Sequence, residues 1–241
     1  MSDLSIQSNA PAIGATATPP AGSWRESRWL ALVEMLIIAL IFLARKYHMV
    51  PLSTTPFLFL VGWVSLRLRR VGWRGVGFAR YRSWALTLAL GVGLGAASEV
   101  FQLVATQPLL TRLLGRQPDL STFRMINGNL MYALAGLALI WTLAAFGEEM
   151  VWRGYVLNRV ADLGHRTRGA WIFAVVVVGA VFGYCHSYQG LTGIIEEGTA
   201  GLMLTAMYLG TGRNLAVPII AHGVADTIDL VMLYFGKFPG M

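Results

Sequence analysis

An all-α, polytopic membrane helical bundle of about seven transmembrane helices (six to eight) is predicted by three features of the chain. It is 56% hydrophobic and only 13% charged, whereas soluble domains carry about a quarter charged residues. Its apolar residues gather in runs, several of about the length that crosses a bilayer as a helix. Segments of alternating polar and apolar residues, the mark of a membrane barrel, are missing from the sequence. Backbone groups in hydrocarbon must pair within their own segment, so the runs are helices. A length of 241 residues suits one bundle.

The elements follow in order. Residues 1–24 are rich in Ala, Ser, Thr and Pro, lack the basic start and apolar core of a secretory signal, and read as a disordered tail. Apolar segments then fall at about 29–44, 56–68, 84–105, 129–152, 170–187, 191–211 and 214–235. The second is short for a span, so it is tilted or partly interfacial. Between the second and third lies RLRRVGWRGVGFARYRSW, whose Trp73, Phe78, Tyr81 and Trp84 suit a loop lying along the membrane surface. Residues 25–83 thus form N-terminal membrane segments with a basic interfacial loop. GVGLG at 91–95 fits close helix packing. It lacks both GxGxxG and the Lys-Ser/Thr of a phosphate loop.

The net charge of +7 raises the question of nucleic acid. The Lys and Arg residues sit in short loops, with no basic face interleaved with aromatics, so nucleic acid is excluded as a partner. Membrane orientation explains them. With the N-terminus cytoplasmic, the inner segments carry Arg25, Arg28, Arg67, Arg69, Arg70, Arg74, Arg80, Arg82, Arg159, Arg166, Arg168 and Arg213. The outer ones carry Arg45, Lys46, Arg112, Arg116, Arg124 and Lys237. Twelve against six places the N-terminus inside and the C-terminus outside. The one cysteine, Cys185, allows no disulfide and no Cys-based zinc site. It adjoins His186, but a small apolar helix residue is the simpler reading than a thiol nucleophile.

Chemistry gathers on three of the segments. Glu148 and Glu149 stand side by side in WTLAAFGEEMVWRGYVL, where two acids persist only against protein or a wet cavity. Arg153 lies four residues after Glu149, on the same helix face, so the two form a structural ion pair. Glu148 is rotated about 100° away and is free to act. In a poorly solvated cavity a carboxylate is a stronger base. The plainer alternative is that both acids are packing anchors. Phe182 and His186, four apart, bring a ring beside an imidazole; taken alone, His186 is better read as an interfacial histidine. His222, Asp226 and Asp229 share a face of the last segment. There an acid can fix the tautomer of His222, or the stripe is a self-satisfied polar seam. Pro218 just upstream frees a carbonyl and widens a cavity.

Depth supports convergence. If the fourth helix runs to about Leu163 and the fifth starts near Gly169, Glu148 and His186 lie at matched height. His222 meets them if that hairpin protrudes roughly 10–14 Å beyond the inner surface. The fifth helix then stops short, and the polar stretch 186–198 dips into the protein and lines a cavity. Glu196 and Glu197 lie in that stretch without an assigned role.

EExxxR (Glu148, Glu149, Arg153), FxxxH (Phe182, His186) and HxxxN/D (His222, Asp226), in that order on successive hydrophobic segments, resemble the CPBP family. That family includes type II CAAX prenyl endopeptidases and bacteriocin-processing and immunity proteins. The resemblance covers residues 84–236 and makes them a CPBP-like catalytic membrane core. It implies an intramembrane endopeptidase of a bacterial cytoplasmic membrane, multi-pass, acting on a membrane-associated peptide or protein, prenylated or not. In that family Glu148 and His186 activate water, while His222 and Asp226 stabilise the oxyanion. Glu149, Arg153 and Phe182 support them. Asp226 stands where Asn is commoner. An ionised Asp accepts but does not donate, so either it is protonated or it orients His222. The same Glu148, His186, His222 and Asp226 suit zinc by ligand type, but no HExxH helix is present. No cofactor is therefore favoured. Two other functions share these residues. One is a proton-coupled transporter, against which no internal repeat is evident. The other is a non-catalytic immunity or scaffold protein. The substrate, the face to which the site opens and the oligomeric state are left open by the sequence.

Overall fold

The structure, a computed structural model, describes residues 24–50 and 53–239. The expected tail lies outside the described residues except for Trp24, which opens a 3-10 turn at Trp24–Glu26. Among the described residues there is no strand, and seven long helices follow one another. They are α1 (Arg28–Lys46), α2 (Thr55–Leu68), α3 (Trp84–Leu114), α4 (Leu130–Leu163), α5 (Arg168–Cys185), α6 (Gly190–Gly210) and α7 (Ala216–Tyr234). By length and composition, α3, α4, α5 and α7 can each cross a membrane; α2 is apolar but shorter. α1 contains Arg28, Glu34, Arg45 and Lys46, and α6 contains Glu196 and Glu197. All seven predicted segments are helical.

Side-chain caps mark several starts. Ser27, Ser83 and Thr167 each accept a hydrogen bond from a backbone N–H of the first turn, and Asn129 accepts two. Gly115, in the left-handed region at φ 68°, closes α3. Two helices outrun their apolar segments. α3 continues to Leu114 through a π-helical stretch, Gln102–Thr106. α4 continues to Leu163 because its last turns are buried in protein, where Asn158 and Arg159 find polar partners.

The main core surrounds the second half of α4. Met150, Val151, Tyr155 and Leu157 pack with Leu58 and Leu66 of α2, Val178 and Phe182 of α5 and Tyr208 of α6. α3 and α7 approach closely through glycine, as the GVGLG segment predicts. A Cβ on Gly91 would meet Ile220 at 2.5 Å, and one on Gly95 would meet the Ala221 carbonyl at 2.5 Å. The interfacial loop is stitched to the start of α7. Leu215 N–H donates to the Gly77 carbonyl (2.9 Å) and Tyr208 Oη to the Val76 carbonyl (2.9 Å). Gly77 has φ 105°, and any side chain there would strike the Arg213 carbonyl.

The α4–α5 hairpin runs on past the level at which α7 starts. Gly154 packs against Leu215, at the start of α7, and against Trp73 and Val76. The nine residues from there to Leu163 extend about 14 Å further. The polar stretch 186–198, however, is not an irregular dip. Ser187–Gln189 form one 3-10 turn and Gly190 already opens α6, so most of the stretch satisfies its backbone as helix. Gln189 and Glu196 are nonetheless buried.

Candidate active site

Glu148 and Glu149 lie where α4 takes π-type hydrogen bonding, over Ile140–Glu148 and again over Met150–Val156. Such widened turns recur at functional sites. Glu149 is fully buried and pairs with Arg153 at 2.6 Å, as the four-residue spacing predicts. Arg153, equally buried, also donates to the Gly201 carbonyl (2.7 Å) and to Thr205 Oγ1 (3.3 Å), both on α6. Its guanidinium stands 4.8 Å from the centroid of the Phe182 ring. Cation–π attraction and three hydrogen bonds offset the desolvation of this charge.

The same Glu149 oxygen that holds Arg153 also accepts from His222 Nδ1 at 2.9 Å. This contact spans 73 residues of sequence and was not predicted; Glu149 was assigned to Arg153 alone. A carboxylate can only accept here, so His222 Nδ1 carries the hydrogen. Its Nε2 points to Asp226 Oδ2 at 3.5 Å. The side chain of Asp226 is 31% exposed.

His186 caps α5. Its Nδ1 lies 3.0 Å from the carbonyl of Phe182. A carbonyl cannot donate, so the hydrogen is on Nδ1 and Nε2 presents a lone pair. Phe182 is the hub. Its ring centroid is 5.0 Å from that of His186 and 6.5 Å from that of His222. Glu148 is half-buried and lies within electrostatic reach of His186, His222 and Asp226. The structure thus brings together all seven residues singled out in the three motifs, on α4, α5 and α7.

Sequence reasoning missed Gly201 and Thr205, which hold Arg153, and Glu99 on α3, which is only 5% exposed. Glu99 carried a signal, since it is an acid inside an apolar run. Gly201 and Thr205 carried none, because small residues in α6 read equally as packing. No three His, Cys, Asp or Glu side chains among the described residues are grouped so as to hold a metal ion.

Residues 129–228 match the family model described as Rce1-like, type II CAAX prenyl endopeptidase Rce1-like. Neither a curated protein nor a solved structure matches the chain. The match contains all three motifs and bears out their resemblance to the CPBP family: residues 129–228 are similar to the Rce1-like family, and the chain is an integral membrane protein of helical-bundle class.

Proposed function

We propose that the protein is an intramembrane endopeptidase in which Glu148 and His186 activate water to hydrolyse a peptide bond of a membrane-associated substrate. The observation that carries this reading is that Glu148, half-buried, lies within electrostatic reach of two imidazoles, each with its Nδ1 held by a hydrogen bond. Water gives a proton to Glu148 as its oxygen attacks the scissile carbonyl, and His186 Nε2 accepts the second hydrogen bond that orients it. The proton then passes to the leaving amine nitrogen. His222, protonated on both nitrogens between the carboxylates of Glu149 at Nδ1 and Asp226 at Nε2, serves the developing oxyanion as a donor through Nε2–H. Asp226 is an acceptor in this scheme. It holds the Nε2–H until the oxyanion replaces it, so an Asp works where an Asn donor is commoner. Glu149, Arg153 and Phe182 set the geometry without touching the reacting atoms. In the same reading the arginine-rich end of the bundle faces the cytoplasm.

The test is cleavage of a membrane-anchored peptide by purified protein in liposomes, with Glu148→Ala and His186→Ala beside it. Loss of cleavage in both variants, with helical content and melting temperature retained, supports the reading. Full cleavage in both ends it. Proton-dependent flux without cleavage would instead favour a transporter.

A further inference from the structure

The second half of α3 carries a polar face that the hydrolysis scheme leaves unused. Glu99, Gln102 and Gln107 are 5%, 8% and 2% exposed, and Thr111 is half-buried. On a regular α-helix the five-residue step from 102 to 107 would turn the side chain by about 140° and break the row. The π-helical stretch Gln102–Thr106 removes the break. The Gln107 N–H donates to the Gln102 carbonyl, five residues back, so the two side chains stack. Steps of three before them and of four after keep Glu99 and Thr111 on the same face. From 99 to 111 the row runs about 18 Å.

Most of this row lacks partners within the protein. Gln102 Oε1, both amide atoms of Gln107 and Thr111 Oγ1 are shielded from solvent and meet no hydrogen-bonding group. Asp229 Oδ1 on α7 is in the same state. The two helices run parallel here, since Gly91 approaches Val217 and Ile220 while Gly95 approaches Ala221. One to two turns further on, Glu99 and Gln102 stand level with Asp226 and Asp229. Asp226 lies 3.5 Å from His222 Nε2, so the row begins at the level of the site. At its far end Gln107 and Thr111 line a cleft of about 350 Å³ with Leu103, Arg112, Gln117 and Pro239. Arg112 and Gln117 are exposed, and the cleft opens at the end of the bundle where α3 and α7 finish.

The unmet atoms are of both kinds. Gln107 Nε2 donates, the amide and carboxylate oxygens accept, and the Thr111 hydroxyl does both. A cation would leave the Gln107 N–H groups unmet, and an anion would leave the oxygens unmet. Water donates and accepts, and a buried water meets two to four such groups at once. We propose that Glu99, Gln102, Gln107, Thr111 and Asp229 hold a file of water that joins the cleft at the end of α3 to the site around Glu148 and His186. Each hydrolysis consumes one water, which the surrounding lipid does not supply, and the file delivers it. This deepens the peptidase reading and rests on it for the use made of the water.

The experiment uses the full chain in liposomes, labelled with ¹⁵N in the side-chain amides of glutamine and asparagine. Solid-state NMR follows magnetisation passing from water protons to each amide, and spectra of Gln102→Leu and Gln107→Leu assign the two signals. Asn158 is the dry reference, because it is buried and its Nδ2 donates to the Arg153 and Gly154 carbonyls and to Tyr208 Oη. Exposed Gln117 is the wet one. The deciding comparison lies within the wild-type spectrum: Gln102 and Gln107 should build up at nearly the rate of Gln117 and well ahead of Asn158. Gln107→Leu should slow the build-up at Gln102 and lower kcat for a cleavable peptide by about tenfold, with KM unchanged. If no peptide is cut yet both amides take up water magnetisation, the peptidase reading fails and the water file stands. Transfer to both amides as slow as to Asn158 overturns the proposal, whatever the turnover. So does transfer that comes faster from lipid methylene protons than from water, which would make the cleft a seat for an acyl chain.

Discussion

Two buried Glu–Arg pairs in this bundle are built differently. Glu34 of α1 uses both of its oxygens: Oε1 takes Ser65 (2.6 Å) and Arg69 Nε (3.1 Å), and Oε2 takes Arg69 (2.9 Å). It is closed, and it clasps α1 to α2. Glu149 of α4 places Arg153 and His222 on one oxygen, while Oε2 meets no donor. It is open, and it ties the ion pair to a histidine of the site. A buried ion pair is thus not by itself a sign of function. What distinguishes the Glu149 pair is a third, titratable partner from a distant helix.

The largest expected effect tests the free acid beside the open pair. Glu148→Gln should lower turnover of a cleavable peptide by about 10²- to 10⁴-fold, with the melting temperature unchanged. Next come the arginines. Arg153→Met and Arg69→Met each leave a buried carboxylate uncompensated and should destabilise the protein by about 3–5 kcal/mol, read as denaturation in detergent. The pairs should then diverge. Replacing Glu34 and Arg69 together by Leu and Met should regain most of the loss and keep turnover. Replacing Glu149 and Arg153 together should regain stability but not turnover, because His222 loses its acceptor. Equal behaviour of the two double variants would erase the distinction.

Much of this arrangement was legible in the sequence. Hydropathy located the seven helices, and the height of the α4–α5 hairpin was read from residue counts alone, because helical rise is constant. The i,i+4 partners Glu149–Arg153 and Phe182–His186 were legible for the same reason. The Glu149–His222 bond was not, since helical spacing says nothing about which faces meet across 73 residues. Nor was the course of 186–198, where the depth argument asks for a dip into the protein while the apolar segment predicted from 191 is already helix. Gly193 packs on Gln189 and Gly198 gives room to Gly183 of α5, so these glycines serve close contact and not turns.

Smaller effects sharpen the picture around Arg153. A Cβ on Gly201 would lie 2.9 Å from the Phe182 ring, so Gly201→Ala should cost about 1–3 kcal/mol by overpacking and should disturb both histidines through Phe182. Imidazole shifts by NMR would report this. Thr205→Val removes the weakest Arg153 contact, at 3.3 Å, and should cost about 1 kcal/mol with turnover nearly intact.

The most direct measurement is hydrolysis in ¹⁸O-labelled water by the liposome-reconstituted protein, followed by mass spectrometry of the peptide products. Water activated by Glu148 and His186 should place one ¹⁸O in the new C-terminal carboxylate of a single cleaved bond, with the labelled product lost in folded Glu148→Gln. Labelled product formed at the wild-type rate by Glu148→Gln, or no cleavage by the wild-type protein of any membrane-anchored peptide, would contradict the account.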